Sequence, residues 1–225
     1  MATHVEFAAK SGEKTSGEIV LPEGSGKAPA VVLIQEWWGL NDHIRSLLDR
    51  LAKAGFVALA PDLYHGKVTT DPAEAMKMMT ELDGDRSIDE IQGAVAFLAA
   101  HERSNGKVGV MGFCLGGAFA FRAATRIPEL GAAVPFYGVP DASKTDYTKV
   151  RAPILAHFAT RDGWAKPELA AAIKQQLEAA GQSMELHIYE ADHAFMNDTR
   201  PEVYHPEAAK LAWDRSMTFL HKHLE

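Results

Sequence analysis

The chain of 225 residues contains one cysteine, Cys114, so it can form no internal disulfide. That usage suits a reducing compartment, and cytoplasmic residence is the expectation. Met1-Ala2-Thr3-His4-Val5-Glu6 lacks a basic segment leading into an apolar stretch, so no signal peptide is expected. Long apolar runs are missing too. The stretch from Ala28 to Ile34 is among the longest and is far too short to span a bilayer. Positive charge is in deficit: 30 acidic residues against 23 basic ones leave a net charge of -7. Such a chain has no general attraction for phosphate backbones or anionic lipid, so neither nucleic acid nor a membrane is an expected partner.

Several chemistries are equally unsupported. There is no H-E-x-x-H and no Cys/His cluster, so no metal is expected. His221 and His223 are two residues apart on a helical pattern and do not share a face. Gly24-Ser25-Gly26-Lys27 lacks the first glycine and trailing Ser/Thr of a phosphate-binding loop. No G-x-G-x-x-G follows a strand pattern, so no cofactor is expected. Carboxylates are too scattered to suggest glycosidase chemistry.

What is present is an ordinary globular composition, 47% hydrophobic and 24% charged. Short apolar runs alternate with helical periodicity. Strands are expected at 5–7, 17–21, 29–34, 56–60, 107–111, 131–137, 153–158 and 184–189. Helices are expected at 41–53, 71–82, 88–101, 115–125, 167–180 and 206–221, with Asp83-Gly84-Asp85 as a break. The runs at 29–34 and 56–60 are apolar throughout, as in strands covered on both faces. The alternation predicts an α/β fold, a mostly parallel central sheet with helices on both faces, in one domain spanning 1–225.

Gly112-Phe113-Cys114-Leu115-Gly116-Gly117 lies between an expected strand and an expected helix. G-x-nucleophile-x-G at that junction is the nucleophile elbow of α/β-hydrolases, a tight turn that lifts the side chain above the sheet edge. The bland reading is that a lone Cys is an inert core residue. Against it stand two downstream residues. Asp162 follows the strand at 153–158, and His193 follows the strand at 184–189. Cys114, Asp162 and His193 thus fall in the order nucleophile, acid, base, each beyond a strand's carboxyl end, where open α/β sheets bind ligands. Asp162 could instead cap the helix at 167 or pair with Arg161, and Asp192 is a rival acid. His187 alternates with Leu186 and Ile188 like an exposed strand position, and most other histidines read as surface or sheet-face residues.

The segment Gln35-Glu36-Trp37-Trp38-Gly39 follows the strand at 29–34, where the fold draws its second oxyanion donor. The backbone N–H groups of Trp37 and Leu115 are the expected pair. Glu36 falls within reach of Cys114. A carboxylate there opposes a thiolate, which would hold the thiol neutral until substrate rearranges the site.

These residues resemble the dienelactone hydrolase family. The matching segments are Gln35 to Gly39, Ala60-Pro61-Asp62-Leu63-Tyr64, Ser104 to Gly109, Gly112 to Gly117, Arg161-Asp162 and Asp192-His193-Ala194-Phe195. The resemblance implies a Cys114-His193-Asp162 triad, with Glu36 partnering the resting thiol and a small lactone or ester as substrate. In the family's characterised members the substrate is dienelactone, which carries a carboxylate, and the product is maleylacetate. Those members hold the carboxylate with two arginines, one shortly after the Asp-Leu-Tyr segment. Here Tyr64 is followed by His65-Gly66-Lys67, with no arginine before Arg86. Tyr64, Lys67 and Arg200 are therefore the candidate substrate-binding residues.

Two rival classes remain at this level. A general small-ester carboxylesterase or thioesterase would share every residue named. A redox-sensing thiol protein would react with peroxide without turnover, and it gives no reason for the placement of His193 and Asp162. A lipase or peptidase would ordinarily carry Ser at the elbow.

Overall fold

The computed structural model describes residues 2–225. All eight expected strands and six expected helices are present. They are β1 (Thr3–Ala8), β2 (Lys14–Val20), β3 (Ala28–Ile34), α1 (Asp42–Lys53), β4 (Val57–Pro61), α2 (Pro72–Glu81), α3 (Gly84–Ala100), β5 (Ser104–Phe113), α4 (Leu115–Arg126), β6 (Ala132–Phe136), β7 (Ile154–Arg161), α5 (Pro167–Ala179), β8 (Met184–Asp192) and α6 (Pro206–Leu224). The strands form one sheet in the order β1-β2-β4-β3-β5-β6-β7-β8. Pairs β1/β2 and β2/β4 are antiparallel, and every other neighbouring pair is parallel.

The unbroken apolar run of β3 has a direct cause. Ala30, Val32 and Ile34 face a core built with α3, α4 and α5, while Val31 and Leu33 face a second core built with α1 and α6. All five are fully buried, so neither face can carry a polar residue. On α1, Ile44, Leu47, Leu48 and Leu51 form the buried stripe, and Asn41 caps the helix by accepting from the Ile44 N–H at 3.2 Å.

Three readings need correction. Helix α3 starts at Gly84, not at 88, because Asp83 accepts from the N–H groups of Asp85 and Arg86 at 3.0 and 3.1 Å. The Asp83-Gly84-Asp85 segment is thus the cap of α3 as well as the break after α2. Strand β5 starts at Ser104, opposite Ala28, with an irregularity between Ala28 and Ala30. Lastly, His43 and His157 are buried, while His187 is half-buried and stacks on His157 at 5.9 Å between ring centroids. On β8, an edge strand, it is Ile188 that is exposed.

Candidate active site

The parallel strands run in one direction, so the segments after β3, β5, β7 and β8 emerge at one edge. They carry Glu36, Cys114, Asp162 and His193. Cys114 is the residue between β5 and α4, with φ 55 and ψ -113. A non-glycine residue in that region costs about 1–3 kcal/mol, and such strain collects at functional sites. Its N–H donates to the Phe136 carbonyl at 3.0 Å, and its own carbonyl accepts from the Ala118 N–H. The flanking glycines are required by contact. A Cβ on Gly112 would sit 2.0 Å from the Gly116 carbonyl oxygen, and one on Gly116 would sit 2.3 Å from that of Ile34.

His193 and Asp162 are joined by a 2.6 Å contact between Nδ1 and Oδ2. The other carboxylate oxygen accepts from the N–H groups of Trp164 and Ala165 at 2.8 and 2.9 Å. Burial alone would raise Asp162, but the bonds from His193, Trp164 and Ala165 outweigh it and hold the carboxyl below its ordinary value. Burial also opposes a charged His193, yet hydrogen bonds to Asp162 and to the Cys114 thiol prevail and push the ring up to about 10. Nδ1 faces Asp162, so Nε2 is left for the thiol. The alternative partners of Asp162 are excluded: Arg161 is bidentate on Asp192 at 3.1 and 3.0 Å, and the cap position of α5 is Lys166. Asp192 is thereby held away from the imidazole.

Glu36 is buried, and its Oε2 accepts from Asn197 Nδ2 at 2.8 Å. The amide orientation follows from Asn197 Oδ1, which accepts from the Thr199 hydroxyl and N–H. Burial pushes the Glu36 carboxyl upward, against the pull of His43 and His193. Asn197 was not anticipated from sequence, since it lies 161 positions from its partner.

Cys114, His193 and Glu36 line one cavity of about 410 Å³. Trp37, Trp38 and Trp164 also line it, three of the four tryptophans in the chain. Trp164 is 68% exposed, a large apolar surface at the edge of the cavity. Tyr137 adds a further ring, with φ 33 and its centroid 5.1 Å from that of His193. Its phenol is pushed far up by burial and then by Glu36 and Cys114, so it stays protonated. The N–H of Leu115 opens α4 and has no carbonyl a turn behind it. The N–H of Trp37 makes no hydrogen bond among the described residues. Both are free to donate to an oxyanion.

The three candidate substrate-binding residues separate. Arg200 lines the same cavity, 5.7 Å from the Trp38 ring centroid, and pairs with Glu202 at 2.8 Å. Tyr64 and Lys67 instead line a second cavity of about 210 Å³, with Arg86 and Glu90. The cause is the turn after β4, where Asp62 accepts from the N–H groups of Tyr64 and Gly66 and directs the segment toward α2 and α3. The Tyr64 phenol remains close enough to Cys114 to feel its charge. Among the described residues no group of three or more His, Cys, Asp or Glu is arranged to hold a metal, and no helix is long and apolar enough to cross a membrane.

Residues 16–224 match the model of the dienelactone hydrolase family. The chain belongs to that family. Protein usf of Aquifex pyrophilus is 37% identical to it over the full length of both chains. The carboxymethylenebutenolidase of Pseudomonas sp. strain P51 is 32% identical, covering 94% of this chain and 92% of its own. The crystal structure of P91, a dienelactone hydrolase-like promiscuous phosphotriesterase from metagenomic libraries, superposes with a TM-score of 0.85 at 25% identity, over 100% of this chain and 99% of that one. This family member is a hydrolase of the dienelactone hydrolase type with the α/β-hydrolase fold.

Proposed function

We propose that the protein hydrolyses a small ester or lactone through a Cys114 thioester, with His193 as base and Asp162 orienting it. The observation that carries this reading is the 2.6 Å His193–Asp162 contact beside a cysteine at positive φ on a helix N-terminus, all on one cavity. His193 Nε2 takes the thiol proton and, despite its burial, holds it firmly, because Asp162 and the charged sulfur together stabilise the imidazolium. The sulfur attacks the carbonyl carbon, and the N–H groups of Leu115 and Trp37 receive the oxyanion. Each such donor is typically worth about 3 kcal/mol in the transition state. Collapse expels the alcohol or enol, protonated by His193. Water, deprotonated by His193, then hydrolyses the thioester and releases the acid. Glu36 lines the same cavity as the thiol, and its negative form opposes a thiolate until substrate displaces it. A thiolate favours good leaving groups, so enol lactones and aryl esters are preferred over amides.

A specific observation favours a neutral ester over dienelactone itself. The cavity offers three tryptophans and one arginine, and that arginine is already neutralised by Glu202. Lys67 lines the other cavity. The test is hydrolysis of p-nitrophenyl acetate beside cis- and trans-dienelactone, with the native chain and with Cys114→Ala. Turnover lost in the variant supports the nucleophile, and an aryl ester outpacing both lactones supports the neutral class. Turnover retained by Cys114→Ala overturns the reading. No turnover on any substrate, with a thiol that still reacts with peroxide, would favour a redox role.

A further inference from the structure

Beside Glu36 lies a buried polar group that the reaction above leaves unused. Both amide atoms of Gln35, Oε1 of Glu36 and both ring nitrogens of His43 are buried without a hydrogen-bond partner in the protein. Folded proteins leave only a few such atoms per 100 residues, and each calls for an explanation. Here five of nine belong to three residues within one short stretch of chain. Buried polar atoms of this kind are ordinarily bonded to internal water.

Two contacts and one electrostatic interaction join these groups. Glu36 Oε2 is held by Asn197, the next residue Asp198 approaches His43 Nδ1 at 3.4 Å, and His43 is the group that most strongly favours ionised Glu36. The His43 side chain is 1% exposed, whereas that of Asp198 is 42% exposed. These groups therefore lead from a buried carboxyl to solvent. Other titratable and charged groups bear on these residues. On α1, Asp42 and Arg45 pair with each other; Arg200 and His193 act on Glu36, and Glu36 in turn acts on the buried Tyr137 phenol.

We propose that His43 is the proton-exchange residue for Glu36, linking it through water to Asp198 and bulk solvent by a route outside the substrate cavity. The inference rests on the reading that Glu36 opposes the thiolate and is displaced by substrate. As substrate displaces Glu36, a proton from solvent passes through Asp198 to His43 Nδ1, and the proton on Nε2 passes through water to the Glu36 carboxylate. Only O–H and N–H bonds form and break, and one proton is transferred in all. Glu36 can then change charge while substrate fills the cavity.

The test is infrared spectroscopy of the Glu36 carboxyl band, identified by its loss in Glu36→Gln, followed through pH titration and through transfer into D2O. In His43→Gln we expect deuterium exchange of that carboxyl to slow by about tenfold or more, and its titration midpoint to rise. Exchange and midpoint unchanged in a folded His43→Gln overturn the proposal. Should that variant fail to fold, Asp198→Asn, altered at a half-exposed side chain, takes its place with the same criterion. The catalytic reading fails separately, through turnover in Cys114→Ala, and that result leaves the infrared outcome standing.

Discussion

His193 and His43 each face an aspartate, yet the two pairs are built oppositely. His193 meets a fully buried Asp162 side chain at 2.6 Å, and every oxygen of that carboxylate has a partner. His43 meets a half-exposed Asp198 at 3.4 Å, and neither ring nitrogen has a hydrogen-bond partner in the protein. The first pair is fixed before substrate arrives, as a base that must act within a fraction of an ångström requires. The second is left open to water beside Glu36, the carboxyl proposed to change charge. Within one site, the pair closed by protein groups is suited to orienting, and the pair open to water is suited to responding.

The sharpest way to break that comparison is to disarm the fixed pair. In Asp162→Asn the amide oxygen can still accept from Trp164 and Ala165, which turns its NH2 toward His193 Nδ1. The imidazole must then carry its proton on Nε2 and cannot accept one from the thiol. We expect kcat to fall by about 10⁴-fold with little change in the thermal midpoint, measured by stopped-flow turnover and calorimetry. A loss under about tenfold would mean that orientation is not what Asp162 supplies.

A smaller effect probes the responsive part. Glu36→Gln removes the charge that opposes a thiolate and keeps an oxygen to accept from Asn197. Alkylation of free Cys114 by iodoacetamide should quicken by about tenfold, the size of a single nearby charge at a partly buried site. Slower alkylation would reverse the sign of the assigned role.

The pH dependence of stability separates His193 from a third histidine. His157 is fully buried with neutral partners, Tyr189 at 2.9 Å and Ser216 at 3.0 Å. Ser216 donates to the Ala212 carbonyl, so His157 Nε2 donates to Ser216 and Nδ1 accepts from Tyr189. Burial, then His187 and Arg215, holds His157 well below 6.5. A depressed value means its stabilisation is present above 6.5 and lost as pH falls. His193 has the reverse sign: raised to about 10, it contributes fully below 6.5 and loses that contribution as pH rises through about 10. The thermal midpoint should peak near neutrality, falling by a few degrees on each side. His193→Gln should flatten the alkaline side and leave the acid side, as scanning calorimetry would show.

Cys114, Asp162 and His193 were legible because each is tied to the carboxyl end of a strand, and apolar runs locate such ends well. The tight Gly112 and Gly116 contacts were legible for the same reason. Asn197 and His43 were not, because their importance depends on pairs closed only by the folded chain. Tyr64 and Lys67 line the second cavity for a local reason, although the Tyr64 phenol stays near Cys114. Their distance from β4 was readable, but the turn closed by Asp62 decides which side of the sheet edge they reach.

Trp164 connects the fixed pair to substrate choice. Its backbone N–H is bonded to Asp162, while its ring is mostly exposed beside the cavity. Trp164→Ala leaves the backbone bond available, so the triad should keep its geometry and kcat on p-nitrophenyl acetate should hold. A larger aryl ester such as a naphthyl ester would lose apolar contact, raising KM by about fivefold for roughly 1 kcal/mol of lost burial. Equal effects on both esters would show that the ring supports Asp162 instead of binding substrate. A KM change confined to the larger ester would place the ring on the substrate side of that bond, outside the machinery that orients the base.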